Sequence, residues 1–126
     1  MGFSHAKSAH HFRLFSNGGA IEISATESND TVTLDEIRAH LSHIAEMFTA
    51  GHFQVPMFIH DIVPPGVPVM ESKQSAISYR FELMPTGGRI QIVTSDKDAL
   101  EAIHQFLAFQ IVDHRTGDSN VVAAPN

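Results

Sequence analysis

Apolar and polar residues alternate in two places along the chain, and each alternating stretch runs on into a segment of helical spacing. In the first, His10, Phe12 and Leu14 share one face of a strand and His11, Arg13 and Phe15 the other. Asn17-Gly18-Gly19 follows, and Ile21, Ile23 and Ala25 resume the apolar face. In the second, Ile77, Tyr79, Phe81 and Leu83 alternate with Ser78, Arg80 and Glu82 up to Thr86-Gly87-Gly88, after which Ile90 and Ile92 continue. A period of two on both sides of residues that accept positive φ predicts hairpins over 10–26 and 77–94, with turns at Asn17-Gly18 and Thr86-Gly87. Beyond each hairpin the spacing changes to 3–4, through Leu34, Ile37, Leu41, Ile44 and Phe48, and again through Leu100, Ile103, Leu107 and Ile111. Capping residues precede both series, and Gly51 and Gly117 stand past their ends, so each predicts an amphipathic helix.

The two halves are copies of one unit. Phe12 aligns with Phe81, Leu14 with Leu83, Gly18-Gly19 with Gly87-Gly88, and Ile21 and Ile23 with Ile90 and Ile92. After a short gap Asp30, Leu34, Ile37 and Leu41 align with Asp96, Leu100, Ile103 and Leu107. The expected fold class is α+β: duplicated ββα units forming a four-stranded antiparallel sheet with two helices on one face. All of it makes a single domain, with repeat one at about 10–50, a linker at 52–72, repeat two at about 77–114 and a flexible tail at 119–126.

Residues 52–72 match neither period, yet they carry Val55, Met57, Phe58, Ile59, Ile62, Val63, Val67 and Val69 among Pro56, Pro64, Pro65 and Pro68. So apolar a segment seeks burial, and its prolines lower the entropy cost of fixing it, so it is expected to be an ordered cover without regular structure. The second helix has a further apolar side, Phe106, Phe109 and Val112, which must be covered by the linker or by a second copy of the chain. A homodimer through these three residues is the expectation.

The net charge of −6 with scattered basic residues argues against a nucleic-acid partner. The absence of cysteine removes disulfides, thiolate catalysis and Cys-ligated metal sites. No run of residues is long and apolar enough for a membrane span. The N-terminal residues show no signal-peptide core, and the Met-Gly start fits either an exported, periplasmic domain or a cytoplasmic one. HExxH, GxSxG, CxxCH and Gly-rich phosphate loops are missing. The available acid–base pairs are His60-Asp61, Glu36-His40 and Asp113-His114. Adjacent residues such as His60 and Asp61 are poorly disposed to face each other, so hydrolytic catalysis is not the expected activity.

Nine histidines in 126 residues, with five methionines, are the remaining chemical signal. Glu36, His40, His43 and Met47 form a second stripe on the first helix. His10 lies on the inward face of the first strand where the repeat has Tyr79, and His40 aligns with Phe106, so only one half carries these imidazoles. Imidazole and thioether together suit copper. The candidate metal ligands are His10, His11, His40, His43, Met47, Met57 and His60. His40 with His43 or with His10 is the expected chelating pair, because Met47 lies about 10 Å further along the helix. His104, in the apolar stripe of helix two, reads as a hydrogen-bonded core residue, and His114 as a histidine remote from the site. A partner-binding module using helix two and the Pro-rich segment is the alternative, and non-covalent haem binding a third.

Taken in order, "AHHFRLFSNGGAIEI", "PMFIHDIVPPGVPVM" and "IHQFLAFQIVDHRTGD" give the chain a resemblance, over residues 9–119, to a family of small bacterial proteins to which no activity is attached. Some members are exported with His- and Met-rich leaders, so the resemblance implies a periplasmic setting and a metal ligand.

Overall fold

The computed structural model of the chain describes residues 8–27, 29–53, 64–114 and 116–124. Both alternating stretches are hairpins, β1 (Ser8–Phe15) with β2 (Gly18–Ala25) and β3 (Ile77–Met84) with β4 (Gly87–Thr94). The turns fall one residue earlier than the spacing predicts, at Ser16-Asn17 and Pro85-Thr86, and Gly18 and Gly87 open the second strands. Neighbouring backbone explains the shift. A Cβ on Gly18 would collide with the Ile92 carbonyl and one on Gly87 with the Ile23 carbonyl, so these glycines serve the pairing of the two hairpins.

That pairing joins β2 to β4 antiparallel and sets the strand order β1-β2-β4-β3. Its register places Ile21 opposite Ile90, two residues that are each other's equivalents in the duplication. An approximate twofold axis therefore passes between them, and the duplicated sequence folds as a duplicated structure. On the face opposite the isoleucines a row of alternating charge crosses the sheet, from Arg13 to Glu22 (3.2 Å), Glu22 to Arg89 (3.7 Å) and Arg89 to Glu82 (2.8 Å).

Helices α1 (Thr31–Thr49) and α3 (Lys97–Asp113) open identically: the Asp30 and Asp96 carboxylates accept the N–H groups of Thr33 and Ala99. Gly51 continues past α1 with φ +81°. Both helices lie on the isoleucine face. Leu41 of α1 reaches within 3.1 Å of where a Cβ on Gly88 would stand, and Leu107 of α3 takes the same place over Gly19, so the second glycine of each pair makes room for a leucine. The helices cross over between units, α1 packing mainly on β3 and β4 and α3 mainly on β1 and β2. Ile21, Ile23, Ile37, Leu41, Ile44, Phe48, Ile90, Ile92, Ile103, Phe106 and Leu107 make the sealed core between the layers.

Residues 54–63 of the linker lie outside the described residues, and from Val67 on the described part departs from the expectation of irregular structure. Val67–Ser72 form α2, with Pro68 in the first turn, where a missing N–H costs nothing, and a 3-10 turn, Gln74–Ala76, follows. Gly66 (φ +88°) lets this segment close on α3, since a Cβ there would strike the Ala102 carbonyl; Val67 and Met70 are buried. Phe48 and Phe53 pack on Phe106, 6.0 Å and 6.4 Å from it between ring centres, and Tyr79 lies against Phe53 in turn. Phe106 is thus 0% exposed within one chain, which corrects its assignment to a dimer interface; Phe109 is half-buried and Val112 is 77% exposed.

The C-terminal tail, expected to be flexible, is tied to the edge of β1. Ala123 donates to Leu14 and accepts from Ser16, and the Asp118 carboxylate accepts the Phe12 N–H at 3.0 Å. Among the described residues, no helix is long and apolar enough to cross a membrane.

Candidate functional site

Extending the duplication beyond Leu41 and Leu107 sets Ile44 against Gln110 and Phe48 against His114, while the strands set Tyr79 against His10. In one half of the molecule Phe48 and Tyr79 touch edge to face, with ring centres 5.6 Å apart. In the other half the equivalent contact is between His10 and His114, 5.7 Å apart and 24° from parallel. Two aromatic residues that meet have each been replaced by a histidine, and a buried isoleucine one turn away by a glutamine. The core of one half has become polar at one corner.

Local structure explains how this corner is held. The period of β1 turns His10 to the same side as Phe12 and Ile23, beneath α3, the helix that crosses β1. His114 is the C-cap of α3; its ring lies 5.2 Å from that of Phe12, and its Nδ1 lies 3.2 Å from the Gln110 carbonyl. A carbonyl only accepts, so Nδ1 carries the hydrogen and the lone pair of the neutral ring is on Nε2. Gln110 is 1% exposed, and neither its Oε1 nor its Nε2 has a hydrogen-bond partner among the described residues.

Of the expected ligands, His10 and His11 lie on β1, and His40, His43 and Met47 follow one another along α1. His11, on the other face of β1, donates from Nδ1 to Asp118 at 2.9 Å. His43 is exposed on α1, and Met47 is partly buried and packs against the core. His40 is half-buried, and its pKa is lowered by that burial and by the neighbouring charge of His43. Met57 and His60 lie outside the described residues. Among the described residues, no three of His, Asp and Glu are grouped so as to hold a metal ion. His114, read from the sequence as remote, is the imidazole that packs on His10.

His104 has the structural role its apolar surroundings suggested. Its Nε2 donates to the carbonyls of Phe15 (2.7 Å) and Gly18 (3.1 Å), which flank the first turn. Arg38, its equivalent on α1, donates to the carbonyls of Met84 (2.7 Å) and Gly87 (3.0 Å), which flank the second. Each helix clamps the turn of the other unit's hairpin. Tyr79 keeps its proton because burial raises its pKa far above the ordinary phenol value.

Four residues of this arrangement escape pattern reading: His114, Gln110, Asp118 and Arg38. The signal for the first two was present, because carrying the repeat alignment one more turn exposes both substitutions. Nothing in the spacing points to Asp118, which acts through a backbone N–H on a distant strand. No protein-family model, no curated protein and no solved structure matches this chain.

Proposed function

We propose that this chain is a binding domain for a transition metal, Cu(II) above others, with His10 and His114 as its imidazole ligands. The observation that supports this reading is the paired exchange of Tyr79 and Phe48 for two contacting histidines in the other half of a duplicated fold. Packing alone has no need of the exchange, since the aromatic pair fills the equivalent place. Two imidazoles bound to one ion at ~2.1 Å have ring centres roughly 5 Å apart, near the 5.7 Å between these two, and the rings, now stacked at 24° from parallel, would turn about their side-chain bonds to bring both lone pairs to one ion. A hydrogen bond on Nδ1 that leaves Nε2 as the lone-pair nitrogen is how metal-binding histidines are commonly held. Copper is favoured because Cu(II) heads the affinity order of the divalent ions at imidazole sites. This ground replaces the thioether argument, since Met47 packs on the core.

The test copies one half of the molecule onto the other. The double variant His10→Tyr/His114→Phe reproduces a pair already accommodated at the equivalent position, and circular dichroism and melting verify that it folds. Calorimetric titration of untagged protein with Cu(II) should show one site in the wild type and none in this variant, while His43→Ala, on the exposed face of α1, keeps it. Affinity should fall on acidification, since protons compete for imidazole. Equal copper binding by the folded double variant would reject the assignment.

A further inference from the structure

We infer that the side-chain amide of Gln110 is the third donor of this site, its Oε1 ligating the same ion as His10 and His114. This rests on the copper-binding reading above and names the residue that would complete it. A glutamine that is 1% exposed with both polar atoms lacking a partner among the described residues is rare in a folded core, where buried polar groups are paired with protein or with an ordered guest. Its equivalent, Ile44, is 0% exposed, so an aliphatic side chain satisfies the packing demand at this helix position. The amide is therefore unneeded by the fold and costs it a desolvated polar group. Its place on α3 connects it to the imidazole pair: Gln110 is one turn before His114 on the same helix, and its own carbonyl receives the His114 Nδ1–H. Backbone and side chain of one residue would then act on the same centre, the first orienting an imidazole and the second supplying oxygen. Two nitrogens and a neutral amide oxygen form a donor set that copper accepts, the amide as the weaker ligand. It also suits a site where no third His, Asp or Glu is gathered among the described residues.

The experiment compares Gln110→Ile, which copies Ile44, and Gln110→Leu with the wild type. Three readouts are used: melting without metal, Cu(II) titration and the electron paramagnetic resonance spectrum of the copper-loaded protein. Melting without metal is expected to be unchanged or raised, because a desolvated amide is removed. Copper affinity is expected to fall on the order of tenfold or more, and the spectrum to change as an oxygen donor leaves. Wild-type affinity and spectrum in a folded variant would overturn the role of Gln110 while leaving His10 and His114 as ligands. A large drop in metal-free melting in both variants would also overturn it, by showing that the amide is needed for the fold. If the wild type takes up no copper, the metal reading fails, and the inference with it.

Discussion

Arg38 and His104 show what an individual side chain contributes here that hydropathy does not register. Both lie on helix faces turned toward the sheet, and both direct their donors at two carbonyls on either side of a two-residue turn. These carbonyls belong to the residue pairs that close the two hairpins, Phe15 with Gly18 and Met84 with Gly87. Replacing either residue by alanine should cost about 1–3 kcal/mol in urea denaturation, the order expected for losing two part-buried hydrogen bonds. The location of the effect is the sharper prediction. Amide exchange should quicken around Ser16-Asn17 in His104→Ala and around Pro85-Thr86 in Arg38→Ala, so that each helix loosens the hairpin of the other unit. Loosening of both turns by either variant would mean that the clamps act through the whole fold.

Among the elements, the tail and the linker cover what two ββα units leave open. An outer strand presents unpaired N–H groups that invite pairing with another chain. At β1 the Asp118 carboxylate takes the Phe12 N–H and also engages His11 (2.9 Å) and Arg13 (3.5 Å), while Ala123 adds a parallel bridge to Phe15. Burial pushes the Asp118 pKa up, but hydrogen bonds from Thr116, His11 and the Phe12 N–H outweigh it and hold the carboxyl below its ordinary value. Because the folded pKa is the lower one, this contribution is fully present above the unfolded value of about 3.9 and is lost as pH falls through the lowered folded value. The Phe12 amide should therefore stay protected at neutral pH and begin to exchange in acid below about pH 4. In Asp118→Ala it should exchange at neutral pH, and that acid step should vanish. An amide equally protected in both proteins would show that Asp118 does not hold the tail. The linker does a comparable service for α3, where Gly66 closes on the Ala102 carbonyl and Val67 and Met70 are buried.

For the molecule as a whole, the twofold arrangement determines which surfaces are available. The aromatic group of Phe48, Phe53, Tyr79 and Phe106 occupies one half and the His10–His114 corner the other, so the two ends of a nearly symmetric body differ in chemistry. Phe106 belongs to the packed end and is sealed. Phe106→Ser should cost about 3–5 kcal/mol, as large-to-small changes in cores do, and lower the melting temperature without regard to protein concentration. Phe109→Ser/Val112→Ser should leave stability nearly unchanged. If two copies of the chain associate through α3, that variant alone should halve the mass seen by light scattering, and a melting temperature unchanged by Phe106→Ser would contradict the burial of that ring.

Strand period, helix period, capping aspartates and the repeat itself were legible in the order of the residues, because each is a local property or a comparison of one stretch with another. Period two and period 3.6 assign a face to every side chain, which is why Phe12, Ile21, Ile37 and Leu107 read as core residues from the sequence and are buried in the fold. Turn positions were legible to within one residue: glycine marks a tight backbone, but whether it serves the turn or a neighbouring strand depends on the Ile92 and Ile23 carbonyls opposite. The inward direction of His10 was also legible. Its partner was not, since a strand residue meets whichever helix crosses it, and the exchange of helices between units brings His114 of α3 over β1. Phe106 was misplaced for a related reason. A helix apolar on two sides needs two covers, and only three-dimensional packing shows that the second comes from α2 and Phe53 of the same chain. Burial, hydrogen-bond partners and contacts between distant histidines depend on where chain segments meet, and periodicity carries no information about that.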